Sequence, residues 1–109
     1  MISINANPGQ TILFAVEVLD NTSTRVDGYV PLLDYVRNPD GTQLLGTTAM
    51  TNIDTGLYQV SIAIPSGITA IGTYIGSASW LHPNSNAVQY ALFLCNVGLA
   101  FGSASVSPA

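Results

Sequence analysis

A chain of 109 residues has room for one domain and not for two of ordinary size. Charged residues make up only 7% of it, Lys is absent and the net charge is −4. The clustered cations that grip nucleic-acid phosphates or anionic membranes are therefore missing, and no run approaches the ~20 apolar residues of a membrane-spanning helix.

Apolar residues reach 48%, so a surface left with so little charge must be built largely from Thr, Ser, Asn and Gln. Such a surface suits lying against other protein, because a free and concentrated protein normally stays soluble through mixed charge. A secreted β-domain with a Ser/Thr-rich surface is the alternative. The lone Cys95 rules out an internal disulfide and agrees with synthesis in a reducing compartment. Met1-Ile2-Ser3-Ile4-Asn5 lacks the basic segment and long apolar run of a signal peptide, so the expectation is a protein made and used without secretion, the alternative being a leader missing from this sequence.

In chain order, Met1–Asn7 is a short arm able to add as an extra strand. From Thr11 to Leu19 the residues Ile12, Phe14, Val16 and Val18 share one face, and Leu13, Ala15, Glu17 and Leu19 the other. That alternation predicts a strand, since successive side chains point to opposite faces. Asp20-Asn21-Thr22-Ser23 is turn chemistry. Tyr29–Arg37 reads as a second extended stretch, and Pro31 within it favours an edge or a bulge. Asn38-Pro39-Asp40-Gly41 is the strongest turn signal, because Pro39 presets its φ and Gly41 tolerates a positive one.

Thr42–Met50 predicts a weaker strand broken near Gly46, and Asn52–Gly56 another turn. Leu57–Ile64 alternates cleanly, with Tyr58, Val60, Ile62 and Ile64 on one face. Pro65-Ser66-Gly67 ends it. Thr73–Trp80 sets Tyr74, Ala78 and Trp80 opposite Thr73, Ser77 and Ser79. After the turn His82–Asn86, Val88–Val97 is apolar on both faces: Val88, Tyr90, Leu92 and Leu94 against Ala91, Phe93, Cys95 and Val97. A strand of that kind is expected to be covered on both sides, the second cover being a neighbouring subunit or the chain's own tail. With no helical stripe of ten residues, six or seven short strands separated by frequent turns predict an all-β fold, either a sandwich or a small barrel.

Reactive groups are sparse. His82 and Cys95 are single residues, too few for a zinc site, and Cys95 lies in an apolar strand where Cys serves as a small hydrophobe. No catalytic residue, metal ligand or cofactor is expected. Asp20, Asp27, Asp34, Asp40 and Asp54 fall mostly in or beside turns, where capping is the ordinary role and calcium the alternative. Trp80 either plugs the core or joins Tyr29 and Tyr35 in a sugar-binding platform. Arg25 and Arg37, the only cations, are each expected to pair with Asp27, Asp34 or an acid on a partner. In the uncharged tail 98–109, Leu99, Phe101 and Val106 would stick if left free, and docking on its own domain or on a neighbour by strand addition is the expected use, a frayed terminus the alternative. The expected interaction residues are thus Leu99, Phe101, Val106, Phe93, Arg25 and Arg37.

Pro8-Gly9-Gln10-Thr11, Asn38-Pro39-Asp40-Gly41, Asp54-Thr55-Gly56-Leu57-Tyr58 and Gly72-Thr73-Tyr74 follow one another at strand spacing. Together they resemble the layout of bacterial and phage immunoglobulin-like, macroglobulin-type domains over residues 8–97, with 1–7 as an arm and 98–109 as a tail. The Asp54–Tyr58 segment resembles the lead-in to the tyrosine corner of such sandwiches, which puts Val60 where a second Cys would fall. The resemblance implies an all-β, immunoglobulin-like antiparallel sandwich of about seven strands and a binding or scaffolding role. A short, leaderless, weakly charged chain is most similar to the small structural proteins of tailed-bacteriophage virions. The expected function is capsid decoration (cement) or a neck or tail component, located in the virion, homo-oligomeric and in contact with capsid, neck or tail subunits, without nucleic acid or membrane. The alternative is an adhesion or carbohydrate-binding module.

Overall fold

The computed structural model describes residues 2–98. In it the period-two segments become β1 (Ile2–Ala6), β2 (Thr11–Glu17), β3 (Leu32–Arg37), β4 (Gln43–Leu45) and β5 (Thr48–Ala49). These are followed by β6 (Thr51–Asp54), β7 (Leu57–Ala63), β8 (Gly72–Leu81) and β9 (Val88–Val97), with one short 3-10 turn at Ile68–Ala70. A three-stranded sheet, β2-β7-β6, packs on a six-stranded sheet of order β1-β9-β8-β3-β4, in which β5 also pairs with β3. This is the strand order of an immunoglobulin-like sandwich. Its one parallel pairing joins β1 to β9, from Ile2 opposite Phe93 to Ala6 opposite Val97.

The predicted inner faces meet as the alternation requires. In the small sheet Ile12 lies opposite Ile62, Phe14 opposite Val60 and Val16 opposite Tyr58, all of them buried. The large sheet answers with Leu33, Val36, Tyr74, Ala78, Phe93, Cys95 and Val97. Each fully buried large side chain contributes about 1.5–3 kcal/mol relative to exposure.

Three details depart from the sequence reading. Asn52 belongs to strand β6, and the turn is confined to the residues between Asp54 and Leu57. Gly56 lies there at φ 63° with the backbone N of Val26 only 2.6 Å from where a Cβ would sit, so no side chain fits. Pro31 lies just before β3 rather than within it, and the irregularities in that strand fall between Leu33 and Tyr35, against β8, and between Val36 and Arg37, against β4. The tyrosine corner is formed by Tyr74, not Tyr58: the buried Tyr74 hydroxyl donates to the Ala70 carbonyl at 2.8 Å. Two residues further on, the position of the second Cys is therefore occupied by Gly76 and not by Val60.

The ring of Phe93 fills the space above Gly76, where an added Cβ would lie 2.9 Å from Cε2 and closer still to Cζ and Cε1. Phe93 also packs on Phe14 of the opposite sheet, with ring centroids 4.5 Å apart. An aromatic pair over a glycine thus ties the two sheets together where antibody-type domains carry a disulfide.

Candidate interaction face

β8 and β9 form a hairpin of ten residue pairs whose register runs from Gly72 opposite Val97 to Leu81 opposite Val88. Since the inward residues of β9 are Phe93, Cys95 and Val97, Val88, Tyr90, Leu92, Leu94 and Asn96 must point out of the sandwich. Opposite them on β8 stand Leu81, Ser79, Ser77, Ile75 and Thr73. Tyr90 is 69% exposed and Val88 51%, and Leu81, Ile75 and Leu92 are also open. β3 continues this face, with Leu32 opposite Ser79, Tyr35 opposite Ser77 and Arg37 opposite Ile75.

Beside the apolar row sits a small polar set. Asp34, thrown outward by the bulge, accepts hydrogen bonds from Ser79 Oγ at 2.9 Å and Ser77 Oγ at 3.4 Å. The Arg37 guanidinium lies 4.8 Å from the Tyr35 ring centroid and donates to the Gly41 carbonyl at 3.4 Å. Among the described residues neither Asp34 nor Arg37 has an ion-pair partner. At the rim, β1 pairs only with Phe93–Val97, so Val88–Leu92 is an edge with no strand beside it among the described residues. A shallow depression of about 350 Å³ lined by Ile2, Tyr90, Ala91 and Leu92 adjoins that edge.

The outer face of the small sheet is different. Leu13 is its one large exposed aliphatic on β2, set among Thr11, Ala15 and Glu17, and Ser61 and Ala63 follow on β7. Ile53 of β6 is exposed as well, so the small sheet carries scattered apolar residues, while the row of adjacent ones lies on the large sheet.

Of the expected interaction residues, Phe93 is in the wrong place: it is fully buried against Phe14 and Gly76, and offers no surface. Arg25 pairs within the chain, donating from Nε to Glu17 Oε2 at 2.6 Å with Asp54 Oδ2 3.8 Å from Nη1, rather than with Asp27 or Asp34. Arg37 does lie on the open face. Leu99, Phe101 and Val106 lie outside the described residues. Residues 2–98 cover the inner face of β9 and supply nothing over Val88, Tyr90 and Leu92; the tail and the neighbouring subunit expected as the second cover lie outside the described residues. Tyr90 and Leu92, the most telling residues of the face, were missed as candidates although their two-sided apolar strand was the available signal.

The other chemistry is spent on turns. Asp20 accepts from the Thr22 hydroxyl at 2.6 Å and the Thr22 and Thr24 amides, and Asp40 from the Thr42 hydroxyl at 2.6 Å and amide. Those donors hold both carboxyls below their ordinary range, the threonine hydroxyl being the largest cause in each. Asp27 accepts from the Gly56 amide at 2.7 Å and the Asn52 side chain at 3.1 Å. Among the described residues no three His, Cys, Asp or Glu side chains converge as a metal site would require. His82 Nδ1 accepts from the Asn84 and Ser85 amides. Cys95 pairs across the hairpin with Tyr74, eight residues up β8 from His82, so roughly 26 Å of strand separates the two side chains. They do not form a nucleophile–base pair.

The three aromatics considered for a sugar platform do not share one surface. Tyr35 is on the outer sheet face beneath Arg37. Trp80 packs half-buried against the core, with one side in a cleft of about 280 Å³ beside Glu17, Asp20, His82 and Gln89. Tyr29 is tied by its hydroxyl to the Pro83 carbonyl at 3.2 Å. No protein-family model matches the chain, and no curated protein shows significant similarity to it.

Proposed function

We propose that this protein is a non-catalytic assembly domain that presses the outer face of its six-stranded sheet against another protein surface. The observation that carries the reading is the row Val88, Tyr90, Leu92 and Ile75, open on the side of the sandwich that no second sheet covers. Isolated surface hydrophobes are ordinary, whereas a contiguous apolar row rimmed by polar groups marks a contact surface. The 7% charge content of the chain supports it further, because little charge must be desolvated on contact. The sequence resemblance supplies the setting: a structural component of a tailed-phage particle, in capsid decoration or in the neck or tail. Its mechanism is passive, many weak contacts adding stability without a reactive group.

The test is the molar mass of the full chain by size-exclusion chromatography with light scattering across a concentration series, beside Tyr90→Asp/Leu92→Glu. A defined oligomer that the double variant reduces to monomer supports the reading. An oligomer that survives both new charges places the contact elsewhere and removes the face from the argument.

A further inference from the structure

The register of the large sheet says which surface its open face matches. One row runs straight across three strands: Val36 of β3 lies opposite Gly76 of β8, which lies opposite Phe93 of β9. All three are buried beneath the sheet. The outward residues one step to one side of this row are Asp34 with Tyr35, Ser77 and Leu92, and one step to the other side Arg37, Ile75 and Leu94. Two steps out stand Ser79 and Tyr90 on the first side, and Thr73 and Asn96 on the second.

We infer that the partner of this face is a second copy of the same chain, related by a two-fold axis lying along the Val36–Gly76–Phe93 row. The inference rests on the assembly reading above and names its partner. A two-fold interface sets residue i against j and j against i, and this axis exchanges the two sides of the row. It brings Leu92 against Leu94, Ser79 against Thr73, and the Tyr90 hydroxyl toward the Asn96 amide. It also brings Arg37 of each copy to Asp34 of the other. Leucine meets leucine along β9, hydroxyl meets hydroxyl at Ser79 and Thr73, Ser77 faces Ile75, and the two charges of the face, which have no ion-pair partner among the described residues, find one twice over. Any other two-fold placement that covers Asp34 sets it against a like charge or leaves it without a cation. The size is adequate as well. β8 and β9 are each about 33 Å long, β3 about 20 Å and β1 about 17 Å, with about 4.8 Å between neighbours, a projected area on the order of 500 Å² against the about 800 Å² of accessible surface each partner buries in a standard interface.

The arrangement makes a prediction that general stickiness does not. Arg37→Glu gives a chain with two acids on the face, and Asp34→Arg a chain with two cations. Each alone sets like charges opposite each other in its own dimer, while one of each restores both pairs as opposites. The full chain is measured by light scattering and sedimentation velocity, with far-UV circular dichroism checking that each variant is folded. Each single variant is expected to be monomeric where the wild type is dimeric, with at least a tenfold weaker self-association. Their equimolar mixture is expected to return the dimer mass, as a one-to-one heterodimer. The Asp34→Arg/Arg37→Glu chain, carrying both changes, is expected to dimerise with itself.

Single variants that dimerise like the wild type, or a mixture that stays monomeric, overturn this register. If Leu92→Glu still abolishes the dimer in that case, the face stands and only its docking is wrong. If Leu92→Glu also leaves the dimer intact, the assembly reading itself falls. A wild type that stays monomeric at all concentrations overturns the inference outright. Should Asp34→Arg fail to fold, because Ser77 and Ser79 lose their acceptor, a mixture of Arg37→Glu with wild type still decides: it is expected to dimerise more weakly than wild type and more strongly than Arg37→Glu alone.

Discussion

Replacing Gly76 by Ala tests the joint between the sheets directly. The new methyl would lie 2.9 Å from Phe93 Cε2 and nearer still to Cζ and Cε1, where carbon atoms settle at about 3.5–4.0 Å. The ring has to retreat by more than an ångström, and Phe14 stands 4.5 Å behind it, centroid to centroid. Overpacking of this kind costs about 3 kcal/mol, a large share of the roughly 5–15 kcal/mol that holds a domain folded. With a urea m-value of about 1.5 kcal/mol/M, the midpoint should fall by about 2 M. The single Trp, Trp80, packs against the core and reports unfolding by fluorescence. Phe93→Leu, which removes the ring edge, should relieve the clash. The double variant should then lie at least about 1 kcal/mol above the sum of the two single effects. Gly76→Ala within about 0.5 kcal/mol of wild type, or strict additivity with Phe93→Leu, would falsify the account of how the sheets are joined.

Tyr74→Phe deletes the bond to the Ala70 carbonyl and should cost about 1–2 kcal/mol in the same urea titration; an unchanged midpoint would mean the corner is ornamental. Asp20 and Asp40 are held below 3.8 by their threonine donors, so the unfolded chain binds those protons first and their stabilisation, complete above pH 3.8, is lost as pH falls through the folded values. Melting temperature should therefore drop in acid, and less steeply for Asp20→Asn/Asp40→Asn; equal slopes would contradict the capping role. Burial pushes the Cys95 thiol above 9.0, so the stability linked to it is complete below that pH and declines as pH rises through the folded value. At pH 8 the native protein should resist a thiol reagent that labels it within minutes in urea, whereas rapid native labelling would mean that the core beside Cys95 opens readily.

Much of the sandwich was legible along the chain because strand geometry is local. Ile12, Phe14, Val16 and Val18 against Leu13, Ala15 and Glu17 can only be two faces, and the structure buries the set that is uniformly apolar. Turn chemistry was equally readable at Asn38–Gly41, where the Gly41 amide donates to the Asn38 carbonyl at 2.9 Å. The tyrosine corner was not. Asp54–Tyr58 and Gly72–Tyr74 both offer a Gly-x-Tyr, and only the crossing from β7 to β8 by way of the turn at Ile68–Ala70 puts a carbonyl within reach of Tyr74.

The candidate face divides along the same line. Composition and the two-sided apolar pattern of Val88–Val97 determined that this strand carries more apolar surface than one core can use. Which side is left over is a matter of tertiary structure. The three-stranded sheet covers Phe93, Cys95 and Val97, and the other side receives nothing from residues 2–98. The meeting of Arg37, Ile75 and Leu94 in one row, with Asp34, Ser77 and Leu92 in another, brings together residues as much as 58 positions apart. A period of two tells each side chain which face it takes; only strand registry, a long-range hydrogen-bonding choice, decides which side chains stand next to each other.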